Sequence, residues 1–359
     1  MRRGRLERLV RSMGELGLDQ ALITDDRNLS YYTGTEEESM ERLRVLLVDL
    51  RGNCRYYANA LFAPLGAGAE TVRHRDGEEG RALEDLARRL TPGGVLAVDQ
   101  TWPSGYLLDL LALAPNHIFR SAGRLLSLPM VCKDGEEMEL MRRSSQINDR
   151  VVEELISSIS ESSTEAGLSR SIHGLYSKHG AEGAQGGALV AFGKNCASPH
   201  PQSREVRPKA GDCILIDAGA PYRRYQSDMT RTVFFRDVSP EMERVYRTVL
   251  EANLAGIAAV RPGRTAREID GVCRGVIEKS GYGPFFTHRT GHGIGLQLHE
   301  EPYLSETSDT VLREGMIFSI EPGIYLPQTG GVRVEDLVAV TANGAEVLNH
   351  LPKELRVIP

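Results

Sequence analysis

The stretch Thr287–His299, THRTGHGIGLQLH, carries three of the chain's nine histidines, His288, His292 and His299. Glycines flank His292 on both sides, and the acidic pair Glu300 and Glu301 follows His299. Imidazole is a metal ligand and a proton carrier near neutral pH, so histidine at this density among glycines points to a metal or proton-transfer site. Read alone, each histidine serves equally well as a packing or capping residue. The weight of the stretch rests on carboxylates elsewhere that complete a site.

Such carboxylates interrupt three strand-like apolar runs. ILIDAGA puts Asp217 behind three apolar residues, IFSIEPG does the same for Glu321, and GVRVEDLVAV embeds Glu335 among valines. Asp228 stands in YQSDMTRT. A lone ionised carboxylate on a buried strand is costly unless it is paired, hydrogen-bonded or metal-bound. Singly, each reads as a strand-end acid facing solvent or an arginine, and Asp228 as a turn or cap residue. Together with one glycine-flanked histidine they form an oxygen-rich set suited to a pair of divalent ions such as Mn²⁺, Zn²⁺ or Co²⁺. Carboxylates can bridge two ions, and such a cluster activates water and polarises a carbonyl, as amide hydrolysis requires.

At 359 residues the chain is long for one core, so two domains are expected. Hydrophobic and charged contents of 41% and 26% are those of an ordinary globular protein. A formal charge of -6 gives no reason to expect nucleic acid. No apolar run approaches the roughly 20 residues that span a bilayer, and no apolar segment follows the basic start as a signal peptide would require. Five scattered cysteines without a CxxC fit reduced thiols in a cytoplasm. The opening arginines, Arg2, Arg3, Arg5, Arg8 and Arg11, read as the polar face of a helix over 3–17, whose apolar face is Leu6, Leu9, Val10, Met13 and Leu16.

Residues 1–128 read as an α/β domain, with strands at 20–24, 44–50, 54–60 and 95–99 and helices at 77–90 and around 104–114. A helical turn at 27–34 is closed by Gly34. Glu36–Glu38 reads as a solvated loop, and His74 and His117 as surface residues. Residues 129–135 read as a linker, with Pro129 breaking the periodicity and Asp134-Gly135 a turn or cap signal. Residues 136–359 then show a helix pair (136–159, 163–178) and strands (188–192, 213–219, 230–235). A second pair (241–260, 266–280) precedes extended runs at 316–325 and 331–341. A helix pair followed by strands, twice over, predicts an α/β (α+β) chain whose second domain has two related halves.

LIDAGAPYRRYQSDMTRT, RTGHGIGLQLHEEP, SIEPGIYLP and GGVRVEDLVAVT, in this order and spacing, resemble the pita-bread metallopeptidases, in the Xaa-Pro aminopeptidase and Xaa-Pro dipeptidase (prolidase) branch. The resemblance covers about 135–359. The first domain is similar by position, size and character to that branch's creatinase-like amino-terminal domain. It implies a pita-bread catalytic domain with pseudo-twofold halves, two divalent ions with Mn²⁺ ahead of Zn²⁺ or Co²⁺, and hydrolysis of the bond between an amino-terminal residue and proline. By the same resemblance Asp217 binds one metal, Asp228 and Glu335 bridge both, and His292 and Glu321 complete the second. Glu321 also carries the proton to the leaving nitrogen, His299 hydrogen-bonds the scissile carbonyl, His200 lines the substrate side, and Arg333 orients the ligand carboxylates. His288 is a pocket-wall candidate. The partner is a peptide or dipeptide with proline second, and the branch implies a homodimer with no nucleic-acid or membrane partner. Tyr303 departs from the pattern, standing where many prolidases carry an arginine that grips a dipeptide's free carboxylate. A tyrosine donates one hydrogen bond without the bidentate grip, which weighs against strict dipeptide specificity. Competing readings are a general or methionine-type aminopeptidase, a metal-free creatinase-like enzyme, and a non-enzymatic binding relative.

Overall fold

Apolar alternation builds the sheets of both units of the chain, Met1–Met130 and Val131–Pro359. The computed structural model describes residues 1–66, 68–182 and 188–359.

The first unit runs α1 (Arg3–Glu15), β1 (Gln20–Ile23), α2 (Asp26–Thr33), β2 (Arg44–Asp49), β3 (Cys54–Asn59) and β4 (Glu70–His74). It continues with α3 (Glu79–Arg88), β5 (Val95–Val98), α4 (Ser104–Leu113), β6 (Ile118–Ser121) and α5 (Gly123–Val131). The sheet order is β4-β3-β2-β1-β5-β6, with β1 antiparallel to β2 and parallel to β5. Gly34 closes α2 in the left-handed region, at φ 81°.

Three expectations need correction. Arg5 is buried, stacked on the Tyr31 ring at 4.3 Å and donating to the Tyr31 carbonyl, so the arginine face of α1 is only partly polar surface. His74 is also buried, because β4 pairs with β3 and sets its Nε2 3.1 Å from the Leu43 carbonyl. Helix α5 runs through Pro129 to Val131, so the expected linker is helical at its start.

The second unit opens with α6 (Gly135–Ser157), whose start is a reciprocal cap: Glu137 N–H donates to Asp134, and Asp134 N–H to the Glu137 carboxylate. Then come α7 (Glu165–His179), β7 (Leu189–Phe192), β8 (Cys213–Ala218) and β9 (Met229–Phe235). The second helix pair is α8 (Pro240–Ala259) and α9 (Ala266–Lys279). The remaining strands are β10 (Gly291–Gly293), β11 (Glu300–Leu304), β12 (Ile317–Ile320), β13 (Gly323–Leu326), β14 (Gly330–Arg333), β15 (Asp336–Val340), β16 (Ala345–Val347) and β17 (Val357–Ile358).

Strand β8 alternates between two cores. Ile214 and Ile216 join the core formed with α6 and α7, while Cys213 and Leu215 join the one under α8 and α9. The period of two therefore turns Asp217 away from α6 and α7. The long runs expected at 316–325 and 331–341 each break in two. Glu321 lies between β12 and β13, and Glu335 between β14 and β15. Strands β12 and β15 belong to a five-stranded sheet, β11-β10-β12-β15-β16, whereas β13 and β14 form a separate ribbon. Each carboxylate thus stands where the chain leaves one sheet for another.

The two halves are pinned alike. Buried Asn148 of α6 donates to the Ala218 carbonyl at 2.8 Å, one residue past Asp217. Buried Asn253 of α8 donates to the Ile320 carbonyl at 2.9 Å, one residue before Glu321. Among the described residues no helix is long and apolar enough to cross a membrane. We expect Asn148→Ala and Asn253→Ala each to cost about 1–3 kcal/mol, the usual result of removing a buried donor. Chemical denaturation of the metal-free protein measures this, and losses under about 0.5 kcal/mol would contradict these pins.

Candidate active site

The acids arrive in two antiparallel pairs. Asp217 sits on β8 opposite Thr230 of β9, and Asp228 immediately precedes β9. Glu321 and Glu335 lie one step beyond the last pair of β12 and β15, Ile320 opposite Asp336. His292 is the middle residue of β10, enclosed by β11 and β12.

The glycines beside His292 are there for backbone packing. A Cβ on Gly291 would lie 1.8 Å from the Ser319 carbonyl oxygen, and one on Gly293 2.2 Å from that of Glu301. His292 N–H donates to Ser319 Oγ at 3.0 Å, and that hydroxyl donates to Glu321 Oε1 at 3.0 Å. His292 Nδ1 lies 3.1 Å from the Gly293 carbonyl, which requires its proton there and leaves the Nε2 lone pair free. Nε2 faces Glu321 Oε1 at 3.4 Å and Asp228 Oδ2 at 3.6 Å.

Arg333 ties the acids together. Buried at 2% exposure, it donates to Asp217 Oδ2 at 2.5 Å, Thr230 Oγ1 at 3.0 Å, the Tyr325 hydroxyl at 2.9 Å and the Pro199 carbonyl at 3.0 Å. The Thr230 hydroxyl in turn donates to Glu335 Oε2 at 2.6 Å. The Tyr325 hydroxyl lies 2.8 Å from His288 Nε2, while His288 Nδ1 faces the Arg289 carbonyl at 2.7 Å. His288 therefore lines the site as a neutral, fully engaged ring.

All five expected metal donors, Asp217, Asp228, His292, Glu321 and Glu335, line one cavity of about 450 Å³. His200, His288, His299, Arg333, Arg289, Leu298 and Pro199 line it as well. The His299 ring meets His292 edge-on, with centroids 4.1 Å apart. Tyr303 does not line the cavity and so corrects the expectation: its ring lies beneath the Arg289 guanidinium, 4.4 Å away.

Burial and crowding dominate the electrostatics. Burial, then the charges of Glu335 and Asp217, drives Asp228 well above the usual carboxylate range. Burial, then Glu321 and Asp217, does the same to Glu335. Burial pushes Glu321 up to about 7 against the pull of Arg333. Burial, then His299, brings His292 down to about 3, and burial, then Arg333, brings His288 to about 4. Burial, then Arg289, holds His299 below its ordinary value.

The profile of metallopeptidase family M24 matches residues 139–342, and that of the creatinase/prolidase N-terminal domain matches residues 5–127. The chain belongs to metallopeptidase family M24. It is 30% identical to the Xaa-Pro dipeptidase of Pyrococcus furiosus, over 98% of this chain and 99% of that one. Among solved structures it resembles a dipeptidase from Pyrococcus horikoshii, with TM-score 0.93 and 34% identity over 99% of this chain and 100% of the other. It also resembles a prolidase from Thermococcus sibiricus, with TM-score 0.91 and 31% identity over 100% and 99%. The fold is accordingly a creatinase-like amino-terminal domain followed by a pita-bread domain.

Membership implies divalent metal ions, and the residues fit them. Ligand atoms of Asp228, His292 and Glu335 lie within 4.8 Å of one another, all three buried, and the excess acidity of the cluster calls for added positive charge. Sequence reasoning missed Thr230, Ser319 and Tyr325, which hold Glu335, Glu321 and Arg333 in turn. Each stands within a quoted motif, but only the cross-strand registers reveal its partner.

These shifts fix a pH dependence for the metal-free protein. Carboxyls whose folded values lie above the unfolded ones add stability that is complete below about pH 4 and lost as pH rises through the folded values. His292 and His288 act in the opposite sense, but above about pH 7 they are mostly neutral in both states. From about pH 7 to 8.5 the metal-free protein should lose thermal stability, by up to about 1.4 kcal/mol per pH unit for each carboxyl still protonated. Saturating Mn²⁺ should remove the trend, and metal uptake at pH 7 should release protons in calorimetry. Metal-free stability that rises across this window would refute the assignment.

Proposed function

We propose that this protein is a dinuclear Xaa-Pro peptidase, cleaving the bond between an amino-terminal residue and proline. The observation that carries the reading is the single cavity lined by all five expected donors together with His200 and His299. Asp217, Asp228, His292, Glu321 and Glu335 are the residues that would hold two divalent ions, Mn²⁺ ahead of Zn²⁺ or Co²⁺. Bound there, divalent ions supply Lewis acidity toward the scissile carbonyl and make water acidic enough to attack at neutral pH.

The side chains perform the remaining work. Glu321 takes a proton from the attacking water as its oxygen bonds to the carbonyl carbon. Glu321 then delivers that proton to the proline nitrogen as the C–N bond breaks. His299 donates to the carbonyl oxygen as negative charge gathers there, and His200 faces the substrate. Arg333 orients Asp217, and through Thr230 it steadies Glu335. Proline at the second position is supported by the prolidase-like relatives. The five cysteines, all free thiols, support a cytoplasmic setting, and the homodimer rests on the branch resemblance.

The metal-free alternative is disfavoured by the intact donor set, since buried acids without a cation are electrostatically costly. The creatinase/prolidase N-terminal match argues against a methionine-type aminopeptidase. With Mn²⁺ the protein should hydrolyse Xaa-Pro bonds in preference to Xaa-Ala. Asp228→Ala should abolish both metal occupancy and turnover, while His299→Ala should lower kcat roughly 10²–10³-fold with metal retained. Full activity in Asp228→Ala, or an inert metal-loaded protein, would sink the reading.

A further inference from the structure

Lys133 and Glu300 meet at 2.5 Å in the second unit, with side chains only 1% and 11% exposed. Neither lines the active-site cavity, yet Glu300 opens β11 directly after His299, which does. A buried ion pair of this kind often adds no stability over an apolar pair of the same volume. What it does fix is geometry, and Lys133 is a rigid post. Its N–H donates to the Gly315 carbonyl at 2.7 Å, Cys132 before it bridges Met316, and Asp134 after it caps α6. The chain also makes room for the pair. A Cβ on Gly295 would lie 2.6 Å from Glu300 Oε1 and 3.0 Å from Lys133 Cε. His299 has no comparable support of its own. Residues 294–299 form neither helix nor strand, and the His299 ring makes no hydrogen bond among the described residues. Its direction is therefore set by the backbone that carries it.

We propose that Lys133 is a positioning residue: through Glu300 it fixes the end of the 294–299 segment and so aims the His299 imidazole at the scissile carbonyl. This rests on the Xaa-Pro peptidase reading above, in which His299 donates to that oxygen. Side chains one residue apart on extended backbone turn to opposite sides. A Glu300 carboxylate anchored away from the cavity therefore turns His299 toward it. The other end of the segment is tied to the first half of the domain. The Gly295 carbonyl accepts from Gln226 N–H at 2.8 Å, two residues before Asp228. The segment is thus held between Gln226 and Lys133, and only the second tie acts next to His299.

The test uses the Mn²⁺-loaded enzyme and Ala-Pro. Lys133→Met alone strands a buried carboxylate, so the informative variant is the apolar pair Lys133→Met/Glu300→Leu. It should melt at or above the wild-type temperature. Its kcat should fall roughly 10- to 100-fold, the result of a misplaced catalytic group, with KM and Mn²⁺ content near wild type. In the His299→Ala background the same double change should alter kcat less than about twofold, because the pair acts through His299. Gly295→Ala, which crowds the pair and removes neither charge, should act in the same sense by a smaller factor. A double variant with wild-type kcat, or a loss that simply adds to that of His299→Ala, would overturn the proposal. Binding of a phosphinic analogue of Ala-Pro, whose tetrahedral phosphorus stands for the attacked carbonyl, gives a readout without turnover. Its affinity should fall alike in the double variant and in His299→Ala. That result with no turnover by wild type would defeat the peptidase reading and keep the positioning role. Affinity lost in His299→Ala but intact in the double variant would defeat the positioning role alone.

Discussion

The ion pair between Arg333 and Asp217 is the interaction on which the second unit depends. Four carboxylates converge on one cavity, and Arg333 is a buried fixed cation bonded among them. Like charges this close in a low-dielectric interior cannot all ionise without compensation. Arg333 offsets part of the cost directly at Asp217 and, through the Thr230 hydroxyl, reaches Glu335. The rest is left as raised carboxyl affinity for protons, which is also affinity for divalent cations. The cluster is thus held under electrostatic tension that a metal relieves, and relief of that tension links folding to metal uptake.

The architecture follows from the need to deliver these acids without losing backbone hydrogen bonds. Each half supplies two acids from one antiparallel strand pair, at the point where the pair ends. Ending a strand inside a protein exposes carbonyls, and each half answers with an asparagine from the first helix of its pair. Asn148 serves the Asp217 end and Asn253 the Glu321 end. The correspondence goes no further at residue level: the acids of the first half are aspartates, whereas those of the second are glutamates and stand beside His292. The longer glutamate reaches from positions just outside its strands, where aspartate in the first half sits on or beside them.

The general plan was legible because its signals are local. Helix pairs showed through 3.6-residue periodicity, and β8 and β9 through apolar runs with turn residues around them. The acids stood out because ionised groups do not belong in such runs. Short elements were not legible: β4 and β6 have little apolar pattern, α5 carries Pro129 within it, and His74 is buried by a parallel pairing that no local pattern announces. The breaks at Glu321 and Glu335 were also hidden, since an apolar run looks the same whether it stays in one sheet or changes sheets. The acids and histidines that line the cavity were legible, and their supports were not. Thr230, Ser319 and Tyr325 act across strands, so their roles live in register.

Tyr303 shows why a position in a motif is a weak guide to a role. Aligned by spacing, it stands in an arginine's place and reads as a poorer donor. In the fold it lies opposite His292 on the neighbouring strand and faces a guanidinium from the chain segment before that histidine. The charge expected at one position is present in the cavity from another, supported by the residue that seemed to have displaced it. The cavity therefore holds two guanidinium groups beside its acids and histidines, and among the described residues only Arg333 bonds directly to one of those acids.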